Sequence, residues 1–160
     1  MIRYHTDFDS PTKIFDVDTL MIKNNELMEY YSKSKKHKIE KIIFTKNEHY
    51  PPIRIYQLIL TKDSLILHSD RFKNLKGNFS GDGYLDFQKL ANGLNEVNFI
   101  KINERYPFSS DDFFVATEII FDNGKSKKIY DYNGKRNLWL MNFYEKVEKI
   151  AKTEKWKKID

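Results

Sequence analysis

Apolar residues fall at every second position along most of this chain, and the period shifts to 3.6 in two places. The alternation is clearest from Phe113 to Tyr132. Phe113, Val115, Thr117, Ile119 and Phe121 share one side of an extended segment, joined by Tyr130 and Tyr132 from a returning segment. Glu118, Asp122, Lys125, Lys127 and Asp131 share the other side. One apolar side and one mixed side is the pattern of an antiparallel sheet covered on one face. Asn123-Gly124 stands between the two segments. A two-residue type I′ turn needs positive φ at both central positions, and Asn-Gly supplies it, so Asp122 is expected to pair with Lys125.

After Asn133-Gly134 the period becomes 3.6, with Leu140, Phe143, Val147, Ile150 and Ala151 on one helical stripe. Glu145, Lys146, Glu148, Lys149 and Lys152 fall outside it. Glu145–Lys149 and Glu148–Lys152 are i,i+4 pairs in the favourable order, worth about 0.2–0.5 kcal/mol each. Trp156 follows and is expected to fold back as an anchor. A shorter helix starts near Tyr84 to Phe87 and buries Phe87, Leu90, Ala91, Leu94 and Val97. Asp82 or Asp86 is its candidate cap. Gly93 costs about 1 kcal/mol relative to Ala inside a helix, which predicts a frayed last turn.

Two more hairpins are expected upstream. Arg54 to Leu60 alternates, turns at Lys62-Asp63 and returns through Leu65 to His68. Thr19 to Tyr31 reads the same way around Asn24-Asn25, with a helix over Glu26 to Ser34 as the rival. Ile39 to Phe44 and Lys73 to Ser80 read as further strands. Tyr50-Pro51-Pro52 breaks the chain, because proline restricts the residue before it and cannot donate to a ladder. Strands, a helix, a hairpin and a final helix make an α+β domain. Its mostly antiparallel sheet, built from hairpins, packs two helices on one face.

Length and composition agree. A chain of 160 residues suits a single domain over 1–160, because it can bury roughly 70% of its unfolded surface. Hydrophobic residues are 40% and charged residues 32%, a globular balance. Aromatic residues at 15% favour strands. The absence of cysteine excludes disulfides and thiolate zinc sites and fits a reducing compartment. No apolar run reaches membrane-spanning length, and the charged start MIRYHTDFDSPTKIF does not read as a signal peptide, so a cytoplasmic location is expected. The net charge of +5 rests mainly on lysine. Sequence-specific nucleic-acid readers lean on arginine, whose fork pairs bidentately with bases and phosphates.

Several segments from Ile39 to Trp156 carry a family resemblance. These are Pro52 and Tyr56 at the start of a hairpin, Asn98-Phe99-Ile100 after the first helix, and Asp111-Asp112 leading into the Asn-Gly hairpin. Tyr130-Asp131-Tyr132 at a strand end and the terminal Thr153-Glu154-Lys155-Trp156 complete the set. Over this stretch the chain resembles the bacterial family catalogued as domain of unknown function 6438. The resemblance implies a small α+β domain with no established activity. Members commonly carry a cysteine pair before the proline; this chain reads NEHYPP there, so any role of those cysteines is absent. Residues 1–38 form an N-terminal extension outside the resemblance.

Candidate chemistry is sparse. His5, His37, His49 and His68 have no partner at metal-ligand spacing. Ser80, between glycines, is the one nucleophile candidate, and Asp111-Asp112 the one candidate acid/base pair. Asp7, Asp9, Asp16 and Asp18 cluster without a calcium-loop pattern. GNFSGDG, Gly77 to Gly83, is neither a P-loop nor a dinucleotide fingerprint and reads as a turn before a helix. No catalytic, cofactor or metal residue is therefore assigned.

The favoured expectation is a non-enzymatic protein-binding module, in concrete form an immunity or inhibitor protein that covers a toxin. Phe8, Phe15, Tyr30 and Tyr31 are its candidate contacts, since aromatics anchor interfaces. A second reading is polyanion binding through Lys33, Lys35, Lys36 and Lys38, with Lys152, Lys155, Lys157 and Lys158 as a second cluster. An enzyme of unrecognised type is the third.

Overall fold

The structure is a computed structural model and describes residues 20–23, 26–29, 35–48, 53–106, 113–132 and 138–159. In chain order the elements are β1 (Leu20–Lys23), β2 (Glu26–Glu29), β3 (Ile39–Glu48), β4 (Ile53–Thr61), β5 (Leu65–Phe72), β6 (Leu75–Gly81) and α1 (Tyr84–Glu96). After a 3₁₀ turn at Phe99–Lys101 come β7 (Arg105–Tyr106), β8 (Phe113–Phe121), β9 (Lys125–Tyr132), α2 (Leu138–Thr153) and β10 (Lys157–Ile159). β1 and β2 pair with each other as a hairpin, not as the rival helix, and β2 lies beside α2. The turn expected at Asn24-Asn25 is outside the described residues.

The remaining strands form an eight-stranded sheet in the order β10-β6-β5-β4-β3-β8-β9-β7. Every neighbouring pair is antiparallel except β7 with β9. Both helices pack on one face, as the alternation predicts. Ile42, Phe44, Leu58, Leu60, Leu65, Leu67, Val115 and Ile119 are buried there. Phe87, Leu90 and Leu94 meet them from α1, and Leu140, Phe143, Val147 and Ala151 from α2. Each such large aliphatic or aromatic side chain contributes about 1.5–3 kcal/mol on burial. Trp156 folds back as expected, its Nε1–H donating to the Ala151 carbonyl at 3.0 Å.

The register of β8 and β9 differs from the sequence-based expectation. Phe121, not Asp122, pairs with Lys125. The loop is Asp122, Asn123 and Gly124, all with positive φ (43°, 67° and 84°). The start of β3 holds it there. Asp122 N–H donates to the Lys38 carbonyl at 3.0 Å, and Lys38 N–H donates to Asp122 Oδ1 at 2.8 Å. Asn123 and Gly124 N–H groups donate to the Glu40 carboxylate at 3.0 and 3.2 Å. One extra loop residue flips every side chain of the returning strand. Ile129 and Asp131 therefore point into the core, while Tyr130 and Tyr132 turn to the opposite face beside Ala116 and Phe114.

Other expectations also need correction. α1 starts at Gly83, which has no side chain to act as a cap, and the neighbouring Asp82 N–H donates to Glu154 Oε1 at 3.1 Å. Gly83 is required by packing: a Cβ there would lie 2.8 Å from that of Leu65. Lys73 and Asn74 (φ 49° and 61°) are not strand but the tight turn between β5 and β6. Lys157 and Lys158, in the second basic cluster, form edge strand β10 against β6. The expected Glu148–Lys152 pair is present at 3.2 Å, and Glu148 also meets Lys46 of β3 at 2.5 Å. Among the described residues, no helix is long and apolar enough to cross a membrane.

Candidate functional site

The face of the sheet opposite the helices is the most distinctive surface. Each of β3, β4 and β5 carries three consecutive apolar residues: Ile42-Ile43-Phe44, Leu58-Ile59-Leu60 and Leu65-Ile66-Leu67. In a strand the outer two point one way and the middle one the other. The outer residues fill the core. Ladder pairing aligns the middle ones, Ile43 with Ile59 and Ile59 with Ile66, into a half-buried apolar spine on the open face. No described element covers that face.

At one end of the spine lies an aromatic group. The Phe114 ring stacks on Tyr132 at 4.7 Å and on Tyr130 at 5.9 Å, and Arg105 lies over Tyr130 at 5.9 Å. Ala116 sits in register between Thr45 and Tyr130. Its small side chain leaves a shallow depression of about 100 Å³, lined by Ile43, Thr45, Gln57, Ala116, Glu118, Lys128 and Tyr130. The row alongside is polar and internally bonded. Gln57 Nε2 donates to Thr45 Oγ1 at 3.1 Å, and the His68 ring meets Asn78 Oδ1 at 2.5 Å. Arg54 binds Asp70 at 2.7 and 3.2 Å, and this bond holds the Asp70 carboxyl below the usual carboxylate range.

The inner face carries a polar row under α2, which the sequence reading missed. Lys46 and Glu148 are joined at 2.5 Å, each side chain 23% exposed, and Lys152 reaches Glu148 at 3.2 Å. Burial alone would raise the Glu148 pKa, but the bond and charge of Lys46, helped by Lys152, hold it below its ordinary value. Burial, then the Glu148 charge, pushes the Tyr56 hydroxyl well up. Tyr144 is raised likewise, by burial first and then by the charge of Asp131, which is 1% exposed. The Tyr56 hydroxyl makes no hydrogen bond among the described residues. This cluster lies within the core, whereas the open face is at the surface.

A larger depression of about 380 Å³ opens at the start of α1, between Lys62, Asp63, Asp82, Asp86 and Lys89. Its rim carries exposed Tyr84 and Leu85. The charges around it are mixed. Ser80 lies on β6 opposite Ile66, and His68 is engaged by Asn78 rather than by Ser80. Among the described residues no group of three His, Cys, Asp or Glu side chains is placed to hold a metal ion.

Phe8, Phe15, Tyr30, Tyr31 and Lys33 lie outside the described residues, as do His5, His49, Asp111 and Asp112. Lys35, Lys36 and Lys38 are exposed beside the β8–β9 turn, as are Lys155, Lys157 and Lys158 at the β10 edge. The two clusters are not brought together. β3 and β10 are four strands apart in the sheet, about 19 Å at a spacing of about 4.8 Å. His37, inside the first cluster, is clamped instead of free. Its ring nitrogen Nδ1 meets Asp122 Oδ2 at 2.6 Å, its N–H donates to Asn95 Oδ1 at 2.8 Å, and its ring sits edge-on to Phe99 and Phe121. Part of the signal for the open face was present in the sequence as three apolar triplets, which are too apolar for strands with one wet face. Compared with protein-family models, with curated proteins and with solved structures, the chain matches none.

Proposed function

We propose that this chain is a non-enzymatic protein-binding module, in its concrete form an immunity or inhibitor protein that covers a toxin, and that it belongs with the domain of unknown function 6438 family. One observation carries this reading. The open sheet face presents an apolar spine of Ile43, Ile59 and Ile66 beside stacked Phe114, Tyr130 and Tyr132, with no described element over it. An antiparallel sheet with one solvated face normally carries polar residues there, and apolar residues kept at the surface mark interaction sites. The notch described on this face is shallow, about 100 Å³, which is small for a small-molecule site and suits a side chain of another protein.

The test is affinity capture from a lysate of the source cells, with nuclease, comparing the wild type with Ile59→Asp and with the helix-face control Lys149→Glu. One stoichiometric protein retained by the wild type and the control, and lost by Ile59→Asp, supports the reading. Equal retention by Ile59→Asp, or retention that vanishes with nuclease, overturns it. Circular dichroism establishes that Ile59→Asp is folded.

A further inference from the structure

Building on the reading that the open sheet face is the binding surface, we infer that its partner is a protein surface with an apolar ridge flanked by carboxylates. The charges on this face are the reason. Its carboxylates already have partners: Asp70 is bound by Arg54, and Glu118 lies 3.5 Å from Lys128. Lys41, Lys76, Arg105 and Lys157 sit around the spine with no ion pair within 4.0 Å among the described residues. Register places them on this face. Lys41 is opposite Ile120, Arg105 opposite Tyr130, and Lys157 opposite Ser80, while Lys76 acts on Asp70.

The centre is therefore apolar and the rim cationic. Complementary rim charge sets orientation and association rate, and like charge rejects wrong partners. That argument disfavours a second copy of this chain, which would bring cation against cation. Nucleic acid is disfavoured by the centre of the face. Single strands need free aromatic faces for base stacking, but here Phe114, Tyr130 and Tyr132 stack on one another. The notch at Ala116 has room for one small aliphatic side chain, the kind of anchor that a docking ridge supplies. Eight strands spaced about 4.8 Å apart and about five residues deep give on the order of 600 Å². This is close to the roughly 800 Å² that each partner of a standard interface buries.

The test is panning of a random peptide library on phage against the folded chain. Enriched peptides, a single-stranded RNA 20-mer and the chain itself are then measured for binding. Enriched peptides should combine Asp or Glu with Leu, Ile or Val. Their affinity should fall at least ten-fold from 50 to 500 mM NaCl, at least ten-fold on Ile59→Asp, and at least five-fold on Lys41→Glu/Lys157→Glu. Failure to enrich any peptide, or enriched peptides indifferent to Ile59→Asp, overturns the binding face itself. Peptides that need Ile59 but lack acidic residues and salt dependence overturn the partner chemistry and leave the face standing. Ile59-dependent binding of the RNA, or an Ile59-dependent dimer in sedimentation, also overturns the acidic-protein partner.

Discussion

Lys46→Met should destabilise the protein by about 1.5–2.5 kcal/mol, yet adding Glu148→Leu should restore most of the loss. Lys46 Nζ meets Glu148 Oε1 at 2.5 Å across the sheet–α2 interface, and each side chain is 23% exposed. At an effective dielectric of 20, opposite charges about 4 Å apart attract by about 4 kcal/mol, but desolvation cancels much of this. Exposed pairs are worth about 0.2–1 kcal/mol, and removing one member of a buried pair costs about 3–5 kcal/mol. A pair one quarter exposed lies between these limits. Lys46→Met keeps the aliphatic stem and leaves the Glu148 carboxylate held by Lys152 at 3.2 Å, which moderates the loss. Glu148→Gln should cost about 1–2 kcal/mol by the same reasoning. The double variant Lys46→Met/Glu148→Leu replaces the pair with apolar packing and should lie within about 1 kcal/mol of wild type. Urea unfolding followed by far-ultraviolet circular dichroism measures all four states. For a chain of this length, each kcal/mol corresponds to about 2–4 °C in Tm. The pH dependence gives an independent sign. The Glu148 pKa is lowered in the folded state, so its contribution is complete above the unfolded carboxylate value and is lost as pH falls through the folded value. The gap between wild type and Glu148→Gln should narrow below pH about 4.3. If the losses of Lys46→Met and of the single variant Glu148→Leu, measured in the same way, simply add in the double variant, to within about 0.3 kcal/mol, the two residues are not coupled and the reasoning fails.

Gly124→Ala should cost about 1–2 kcal/mol through backbone strain alone, since φ is +84° and an added Cβ meets nothing within 4 Å; Gly124→Asn should cost less, and equal losses on urea unfolding would contradict this. Gly83→Ala should cost about 1–3 kcal/mol by overpacking, because its Cβ would lie 2.8 Å from that of Leu65; an unchanged thermal midpoint would refute it. Asp122→Asn removes a carboxylate whose pKa is lowered, first by the His37 bond and then by Lys38 N–H. Its stability deficit should be full at neutral pH and close as pH falls through the lowered folded value; a deficit constant from pH 7 to pH 3 would exclude the His37–Asp122 bond as its source.

Local patterns were legible and long-range pairings were not. The helical stripes of Phe87, Leu90 and Leu94 and of Leu140, Phe143 and Val147 read directly from a 3.6 period, as did the hairpin of β4 and β5 from alternation. The return of Trp156 followed from an aromatic residue just past an amphipathic helix. β7 and β10 were invisible because strands of two and three residues have no period, and their pairing partners lie far away in sequence. Lys46 and Glu148 are 102 residues apart, so no spacing rule joins them. α1 lacks a side-chain cap because its start is fixed by Gly83 packing on Leu65. The apolar spine of the open face was only partly legible for a related reason. The isoleucines were visible as members of apolar triplets, but only the register of adjacent strands shows that their middle residues align.

The β8–β9 turn links these errors to the surface chemistry. A two-residue Asn-Gly turn would have placed Tyr130 and Tyr132 in the core and Asp131 in water. The observed loop takes Asp122 as a third residue because His37, Lys38 and Glu40, at the start of β3, bind its side chain and backbone. Its consequence appears at the far end of the strand. Asp131 is buried beside Tyr144. Tyr130 and Tyr132 stack with Phe114 on the open face. A register that buries a carboxylate and exposes two tyrosines is unfavourable by burial alone. The clamp around Asp122 and the core positions of Ile119 and Ile129 stabilise it, and the aromatic end of the open face depends on both.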